Sequence, residues 1–287
     1  RTKIPNICLA GGVALNAVAN GRIRPETPFE EVFVQPAAGD SGIAVGSALY
    51  VWHQELGRPR GFAMEHTYWG PEYSDAECAA ALAAGGLDAE RLDDEALFAY
   101  VAERIAEGDV VGWFQGRMEY GPRALGHRSI VADPRREDIK DVLNARIKQR
   151  EPFRPFAPSI LAGSTGEWFE QDYTSPYMVL VYKTRIEKRE LIPGVNHVDD
   201  TGRVQTVTED TSPRFYRLIE AFERLTKVPI LLNTSFNENE PIVMTPQHAV
   251  ETFQKTRMDL LVLGNSVVRR EEGADAEASG SAAFNRA

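Results

Sequence analysis

The first 61 residues alternate apolar, strand-like runs with glycine turns and helix-like segments, and this alternation constrains the fold more than any other feature. Two units follow one another, each with a strand, a glycine-rich turn and a helix: 7–10, 11–12 and 13–20, then 31–35, 39–42 and 43–56. Strands that alternate with helices are typical of layered α/β proteins. We therefore predict that residues 1–61 form an α/β unit.

The rest of the chain divides by composition into a linker, a second domain and two terminal segments. Residues 62–74 combine glycine, proline and aromatic residues without periodicity, which indicates a linker. Residues 75–245 begin with helical patterns and continue with short strands, which predicts an α+β domain. Residues 246–270 are expected to pack back on the first unit, and residues 271–287, rich in Ala, Glu, Gly and Ser, to form a disordered tail.

The composition favours a soluble, cytoplasmic protein. The 287 residues carry a formal charge of −10, and no apolar run approaches the roughly 18 residues that span a bilayer. Two cysteines, Cys8 and Cys78, are too few for a disulfide framework. Because the chain begins at Arg1 and enters an apolar run almost at once, we expect it to start inside a longer domain.

Positive charge is concentrated between residues 117 and 154. This segment holds ten Lys or Arg against six acidic residues, so it carries +4 while the remainder of the chain carries −14. Focused positive charge suits a compact polyanion, because guanidinium groups bind phosphate oxygens bidentately. Nucleic acid is less favoured, since it usually requires a basic face across the domain. For any single arginine, a surface ion pair with one of the abundant carboxylates is an equally good interpretation.

Two parts of this basic segment are candidate phosphate-binding loops. The stretch GRMEYGPRALGHRSI, residues 116–130, follows a predicted strand at 110–114, and loops at strand ends commonly present polar groups. A helix is predicted over 137–149, with Asp133 as its N-cap. The stretch KQREPFRPF, which leaves this helix, contains three cations: Lys148, Arg150 and Arg154.

Three further turns contain candidate ligand-binding groups. The stretch NTSFNENEP follows an apolar strand, and its amides and hydroxyl either bind ligand oxygens or cap a turn: Asn233, Ser235 and Asn237. Gly11 and Gly12 offer backbone amides to a phosphate or allow tight packing. Asp40 is an N-cap or a metal ligand, and its spacing favours the cap. The five histidines are scattered and assemble no metal site.

Taken together, six stretches of the chain resemble the O-carbamoyltransferases of antibiotic and nodulation-factor biosynthesis: CLAGGVALN, AAGDSGIAVGSALY, GWFQGRMEYGPRALGHRSI, NARIKQREPFRPFAPSI, GRVQTV and PILLNTSFNENEPI. The resemblance extends from Ile4 to about Arg270. It implies the C-terminal end of an actin/Hsp70-like ATPase domain, followed by a domain with a twisted mixed sheet that is similar to the threonylcarbamoyladenylate synthases.

The resemblance implies a reaction in two halves. Carbamoyl phosphate and ATP, with Mg²⁺, would form carbamoyladenylate with release of pyrophosphate and phosphate. The first domain would then transfer the carbamoyl group to a hydroxyl of a small-molecule or oligosaccharide acceptor. This function implies neither nucleic acid nor membrane as a partner, and it allows a homodimer.

The resemblance also implies roles for residues of the second domain. Arg123 and Arg128 would contact phosphate groups, whereas Lys148 and Arg154 would clamp carbamoyl phosphate and the α-phosphate. The other members of the pocket would bind the nucleotide or the carbamoyl group: Arg150, Arg203, Asn233, Ser235 and Asn237. Phe236 replaces the small third residue of the family's TSAN motif.

In the first domain, Gly11, Gly12 and Asn16 would form the adenylate-binding turn. Asp40 would be one ligand of an active-site iron or another divalent metal, with paired histidine ligands that this sequence does not contain. We therefore expect this chain to form carbamoyladenylate but not to complete the transfer. The alternatives are an RNA-binding module and a noncatalytic nucleotide-binding module with the same fold.

Overall fold

The computed structural model describes residues 3–151 and 154–270 as a mixed α/β structure. The strands are β1 Asn6–Leu9, β2 Glu31–Val34, β3 Glu90–Arg91, β4 Val111–Phe114, β5 Arg128–Ala132, β6 Ala157–Leu161, β7 Leu180–Lys183, β8 Thr201–Val207, β9 Ile230–Ser235, β10 Leu260–Leu263 and β11 Ser266–Arg269. The α-helices are α1 Ala17–Glu26, α2 Ile43–Tyr50, α3 Asp75–Ala84, α4 Asp94–Glu107, α5 Ile139–Leu143, α6 Thr165–Trp168, α7 Pro213–Thr226 and α8 Pro246–Lys255. The predicted tail at 271–287 lies outside the described residues.

A nine-stranded mixed sheet in the order β3-β11-β10-β4-β5-β9-β6-β8-β7 dominates the structure. Within it β10 runs parallel to β4 and β6 parallel to β8, and the other neighbouring strands are antiparallel. Every residue of β4, β5, β6 and β10 is buried. Helix α7 packs on β6 and β9, and α8 packs on β4 and β10. The predicted large mixed α/β architecture is thus confirmed.

The first unit pairs β1 with β2 in a separate, parallel two-stranded sheet. The helix predicted at 13–20 is observed as a 3-10 turn over Gly12–Leu15 followed by α1. The side chain of Asn16 accepts a hydrogen bond from the Ala19 N–H and so caps α1. The helix predicted at 43–56 is observed as α2, continued by a π-helical turn over Val51–Glu55.

Residues 246–270 do not pack back on the first unit, so that prediction is wrong. They belong to the large sheet, where β10 pairs with β4 in the register Leu260 with Val111. Helix α8 lies against α3 of the same domain. The physical reason is the uniformly apolar sequence of β10, which requires burial on both faces and therefore a position inside a sheet.

The helix predicted at 137–149 is shorter than expected, and Asp133 does not cap it. Helix α5 begins at Ile139 and is followed by a π-helical turn over Asn144–Lys148. The carboxylate of Asp133 instead accepts hydrogen bonds from the Arg135 guanidinium at 2.6–3.0 Å. A bidentate arginine two residues away therefore satisfies this acid before the helix begins.

Helix α1 joins the first unit to the edge of the large sheet. Asn20, which is buried, donates to the backbone carbonyl of Val179 at 3.0 Å and to that of Ala14 at 2.7 Å. Gly21 lies directly against β7, and a Cβ at this position would overlap the Val181 carbonyl oxygen. This close approach brings the chain around Asn16 next to the loop that follows β4.

Candidate functional site

The loop between β4 and β5, which contains the arginine-rich stretch, is held in shape by one buried carboxylate. The Glu119 Oε1 atom accepts hydrogen bonds from the backbone N–H groups of Leu125, His127 and Arg128 at 2.6, 2.8 and 3.2 Å. The Tyr68 ring stacks on His127 with 3.8 Å between centroids, and its hydroxyl donates to the Leu125 carbonyl at 2.9 Å. The sequence analysis missed these residues; a lone acid within a glycine- and arginine-rich stretch was the available signal.

Arg128 is a structural residue of this loop: its terminal nitrogens bind protein carbonyls, whereas the sequence predicted a phosphate contact. The side chain is fully buried and lies over the Phe114 ring, with its guanidinium carbon 3.6 Å from the ring centroid. Its two terminal nitrogens donate to four backbone carbonyls, those of Pro71, Gln115, Gly116 and His127. Carbonyl groups therefore satisfy the terminal N–H groups, whereas the buried Nε–H has no hydrogen-bond partner among the described residues.

Asn233 also binds the loop. Its side-chain nitrogen donates to Ser159 Oγ and Gln205 Oε1 at 3.0 Å, and to the Ala124 carbonyl at 3.3 Å. The Gln205 amide donates to the neighbouring Leu125 carbonyl at 2.8 Å. Asn233 thus positions the residue that follows Arg123, and its predicted role as a direct ligand contact is not supported by these hydrogen bonds.

Lys148 lies beside the predicted nucleotide motif at the end of β9. The Lys148 ammonium donates to the backbone carbonyls of Ser235 and Asn237, both at 2.7 Å, and to the Asn237 Oδ1 atom at 2.7 Å. Ser235 Oγ lies 3.2 Å from the same nitrogen and donates to Asn237 Oδ1 at 2.7 Å. The structure therefore brings together three of the predicted site residues, with Ser235 and Asn237 around the buried ammonium of Lys148.

Arg123 and Arg203 face a common cavity of about 270 Å³ between the first unit and the large sheet. Arg123 comes from the loop after β4, and Arg203 comes from β8, where it lies opposite Val181 of β7. Segment 15–18 of the first unit closes another side, so that Asn16 also lines this cavity. Both arginine Nε atoms are buried, and neither has a hydrogen-bond partner among the described residues.

Arg150 and Arg154 extend this positive charge toward Lys148. The Arg150 guanidinium lies 4.6 Å from the Phe156 ring centroid, and its Nε donates to Asn144 Oδ1 at 3.1 Å. Arg154 is exposed and forms an ion pair with Glu151 at 2.9 Å. We call Arg123, Lys148, Arg150 and Arg203 the cation cluster. In residues 3–151 and 154–270, no member of the cation cluster forms a salt bridge with a carboxylate.

Burial lowers the pKa of every member of the cation cluster, and the charge of a neighbouring cation lowers it further for Lys148, Arg150 and Arg203. For Lys148, burial and then the charge of Arg150 lower the pKa to about 7. For Arg203, burial and then the charges of Arg123 and Arg150 lower it to about 9. Burial alone lowers the pKa of Arg123, and burial with nearby Arg154 lowers that of Arg150. An anion in this region would relieve both the desolvation and the repulsion.

His197 lines the same cavity and was not predicted as a site residue. Its imidazole Nε2 atom is buried and has no hydrogen-bond partner in the described part of the chain. Burial and the charges of Arg203 and Lys140 lower its pKa to about 4, so the ring is neutral at neutral pH. No spacing pattern marks an isolated histidine 47 residues after Arg150, so only the fold identifies it.

The predicted turns of the first unit meet at a second cavity of about 490 Å³. Gly11, Gly12 and Asp40 line it together, whereas Asn16 lies at the arginine cavity. Gly11 has a φ of +100°, a conformation that favours glycine. The described residues contain no group of three His, Cys, Asp or Glu side chains that could hold a metal ion. The role of Asp40 as one ligand of a metal stays a prediction.

No helix within the described ranges is long and apolar enough to cross a membrane. This finding concerns helices alone and assigns no compartment to the chain.

Comparison with known proteins gives matches over both parts of the chain. A family described as "Carbamoyltransferase C-terminus" matches residues 102–270, and one described as "Carbamoyltransferase N-terminus" matches residues 1–49. Nodulation protein NolO of Bradyrhizobium diazoefficiens is 46% identical, over 94% of this chain and 50% of its own length. A 3'-hydroxymethylcephem-O-carbamoyltransferase of Amycolatopsis lactamdurans is 34% identical, over 92% of this chain and 49% of its own length.

The chain spans about half the length of these curated relatives. Among solved structures, full-length HypF in its phosphate- and nucleotide-bound form matches 64% of this chain and 23% of its own, with 20% identity and a TM-score of 0.42. That likeness is too low to support a conclusion about this site.

Proposed function

Because this chain belongs to the O-carbamoyltransferase family, we propose that its large-sheet domain activates carbamoyl phosphate with ATP as carbamoyladenylate. The complete protein would then transfer the carbamoyl group to a hydroxyl of a natural-product or glycan acceptor. The names of the two relatives, a nodulation protein and a cephem carbamoyltransferase, support an acceptor of this class.

The cation cluster is the observation that supports this proposal most strongly. Four cations from separate parts of the chain lie near one another there, and among the described residues none of them forms a salt bridge with a carboxylate. Two phosphorylated substrates repel each other strongly, and a protein that joins them must neutralise and position their charges. A protein without an anionic ligand gains nothing from this arrangement, because like charges destabilise one another when partly buried.

The proposed chemistry balances as two steps. Water cleaves carbamoyl phosphate to carbamate and phosphate. The carbamate oxygen then attacks the α-phosphorus of ATP, and the bond to the β-phosphate oxygen breaks with release of pyrophosphate. Charge on the transferring α-phosphoryl group increases in the second step, which is where guanidinium groups contribute most.

Individual roles follow from the positions of the side chains. Arg123 and Arg203 bind the phosphoryl group, since both line the cavity and their Nε–H groups have no hydrogen-bond partner among the described residues. Lys148 holds the turn that contains Ser235 and Asn237. When the ATP phosphates bind, the ammonium group redirects or shares one of its N–H donors with a phosphate oxygen. Arg150 lies between these two groups and bridges the two substrates, with exposed Arg154 at the outer edge. Mg²⁺ accompanies ATP as part of the substrate.

Pyrophosphate release from ATP, measured with and without carbamoyl phosphate, tests the proposal. We expect release only with carbamoyl phosphate, and a loss of about 10²- to 10³-fold in Arg203→Met, the range typical for removal of one donor to a developing oxyanion. Arg224→Met is the matched control, because Arg224 is 71% exposed on α7 and pairs only with Glu220.

Two outcomes would contradict the proposal. Release that does not depend on carbamoyl phosphate, or that Arg203→Met leaves unchanged, would exclude the cation cluster as the adenylation site. ATP binding without any release would favour the noncatalytic nucleotide-binding module.

A further inference from the structure

The arginine cavity is lined by a histidine with a buried ring nitrogen that has no hydrogen-bond partner in the hydrogen-bond geometry of the described residues. His197 lies in the turn before β8, where its backbone N–H donates to the Thr201 carbonyl at 2.7 Å. Its Nε2 atom is buried, and His197 lines this cavity together with Arg123 and Arg203, whose Nε atoms also lack hydrogen-bond partners among the described residues. Three side chains with an unpartnered nitrogen thus line one small cavity, and the chemistry of the histidine limits what can occupy it.

The hydrogen bonds of Thr201 determine which ring nitrogen of His197 carries the proton. The Thr201 hydroxyl has one hydrogen, and Asp199 Oδ1 lies 2.6 Å from it in a position to accept that hydrogen. The His197 Nδ1 atom lies 3.2 Å from the same hydroxyl oxygen. Because the hydroxyl donates to the carboxylate, Nδ1 must donate to the hydroxyl. The neutral ring therefore has its proton on Nδ1 and a lone pair on Nε2.

A lone pair on Nε2 repels a fully deprotonated oxyanion. An anion held by Arg123 and Arg203 can contact Nε2 only if a proton lies between them, either on the imidazole or on the anion itself. We propose that the cavity binds a phosphoryl group together with one proton, which is shared between His197 Nε2 and a phosphoryl oxygen. This inference rests on the proposed function, since it assigns the phosphoryl group of that reaction to this cavity.

The groups around His197 determine the direction of the pH dependence. Arg203 and Lys140 disfavour a charged ring, whereas Asp199 and the Phe156 carbonyl favour it, and burial dominates to give a pKa of about 4 in the free protein. A bound anion raises this pKa. Between the free and bound values, the affinity for an anion that brings no proton falls about tenfold per pH unit as the pH rises. An anion that brings its own proton escapes this loss.

Inorganic sulfate and inorganic phosphate distinguish an anion without a proton from an anion that brings one. Between about pH 5 and pH 6.5 sulfate has no proton to donate, whereas phosphate is mainly the monoanion, which carries two. In this window the Lys148 ammonium stays charged, so it does not contribute to the pH dependence. Titration calorimetry of the chain should show that sulfate affinity falls about 30-fold from about pH 5 to about pH 6.5. Phosphate affinity should stay constant, and phosphate should bind more tightly than sulfate at the higher pH.

The His197→Gln variant tests the assignment to this histidine. Its amide nitrogen donates at every pH, so sulfate affinity should lose its pH dependence and the preference for phosphate should disappear. Equal, pH-independent binding of the two ions by the unmodified chain would overturn the inference, as would an unchanged preference in a folded His197→Gln variant. Neither result affects the proposed function, which fails separately if carbamoyl phosphate does not stimulate pyrophosphate release.

Discussion

Replacement of Arg128 with methionine is expected to destabilise the fold, not merely to weaken ligand binding. The Arg128 guanidinium is completely buried and donates at 2.6–3.2 Å to the carbonyls of Pro71, Gln115, Gly116 and His127. Methionine matches the length of the aliphatic stem but has no donor. The variant therefore leaves four carbonyl groups without their shared partner in the interior.

The magnitude follows from two opposing contributions. A hydrogen bond to a charged group stabilises by about 1.5–3 kcal/mol, so four contribute about 6–12 kcal/mol. Burial lowers the pKa of Arg128 from 12.5 to about 10, a cost of about 3 kcal/mol for the charged form. The expected net loss in the free energy of unfolding is therefore at least about 3 kcal/mol, in line with other broken buried ionic contacts.

Urea unfolding followed by tryptophan fluorescence measures this loss, because Trp113 is fully buried on β4 beside the loop. For a slope near 3 kcal/mol per molar urea, the midpoint should fall by about 1 M. The exposed control Arg224→Met should change the free energy of unfolding by less than about 0.5 kcal/mol. An Arg128→Met variant with an unchanged midpoint but no pyrophosphate release would refute this reasoning and restore the phosphate contact.

Three other perturbations test the electrostatics and packing of the site. ATP affinity, measured by calorimetry, should fall as the pH rises from about 7 to about 8, because the pKa of Lys148 is about 7 in the free protein and bound phosphates keep its ammonium charged. The Lys148→Met variant should lose this pH dependence, since the pKa of Arg203 is higher, at about 9. Glu119→Gln should weaken the three hydrogen bonds from backbone N–H groups and lower the urea midpoint by about 0.5 M. It should also raise the KM for carbamoyl phosphate; an unchanged KM would show that the shape of this loop does not affect substrate binding. Gly126→Ala should cost about 2–4 kcal/mol in thermal unfolding, because its φ is +102° and a Cβ would overlap the Phe215 ring, whereas Gly163→Ala, at an open position, should not.

The sequence predicts where chemistry is concentrated better than it predicts which side chains perform it. Lys148, Ser235 and Asn237 were placed in one pocket and do meet in the structure. The sequence does not distinguish the roles of Arg123 and Arg128, because both lie in the same irregular loop and local spacing does not indicate where each side chain points. One points into the cavity and the other into the core, and this depends on which carbonyls the rest of the fold places nearby.

Errors elsewhere have the same physical origin. The apolar run 260–263 is equally compatible with packing against the first unit and with a central strand, and only pairing with β4 decides between them. Asp133 has the sequence of a helix cap but finds Arg135 two residues later. His197 has no local signal, because its role depends on Arg203 and on a chain segment about 180 residues earlier.

Glu119, Arg128 and Asn233, which hold the loop between β4 and β5, also explain how the cation cluster can remain without a salt bridge to a carboxylate among the described residues. Glu119 binds backbone N–H groups and influences the pKa of Arg128 and His127, but it does not contribute to the pKa of Arg123 or Arg203. Arg128 is held by neutral carbonyls, and the Ala124 carbonyl by an amide. The loop is therefore fixed by groups away from the cavity, and the described residues that line the cavity include no acid, which would neutralise the arginines and compete with the ligand. Because a bound anion would relieve the repulsion that remains there, the stability of the site and its occupancy are coupled, and a phosphorylated ligand should stabilise the domain by about 2.7 kcal/mol at one hundred times its Kd.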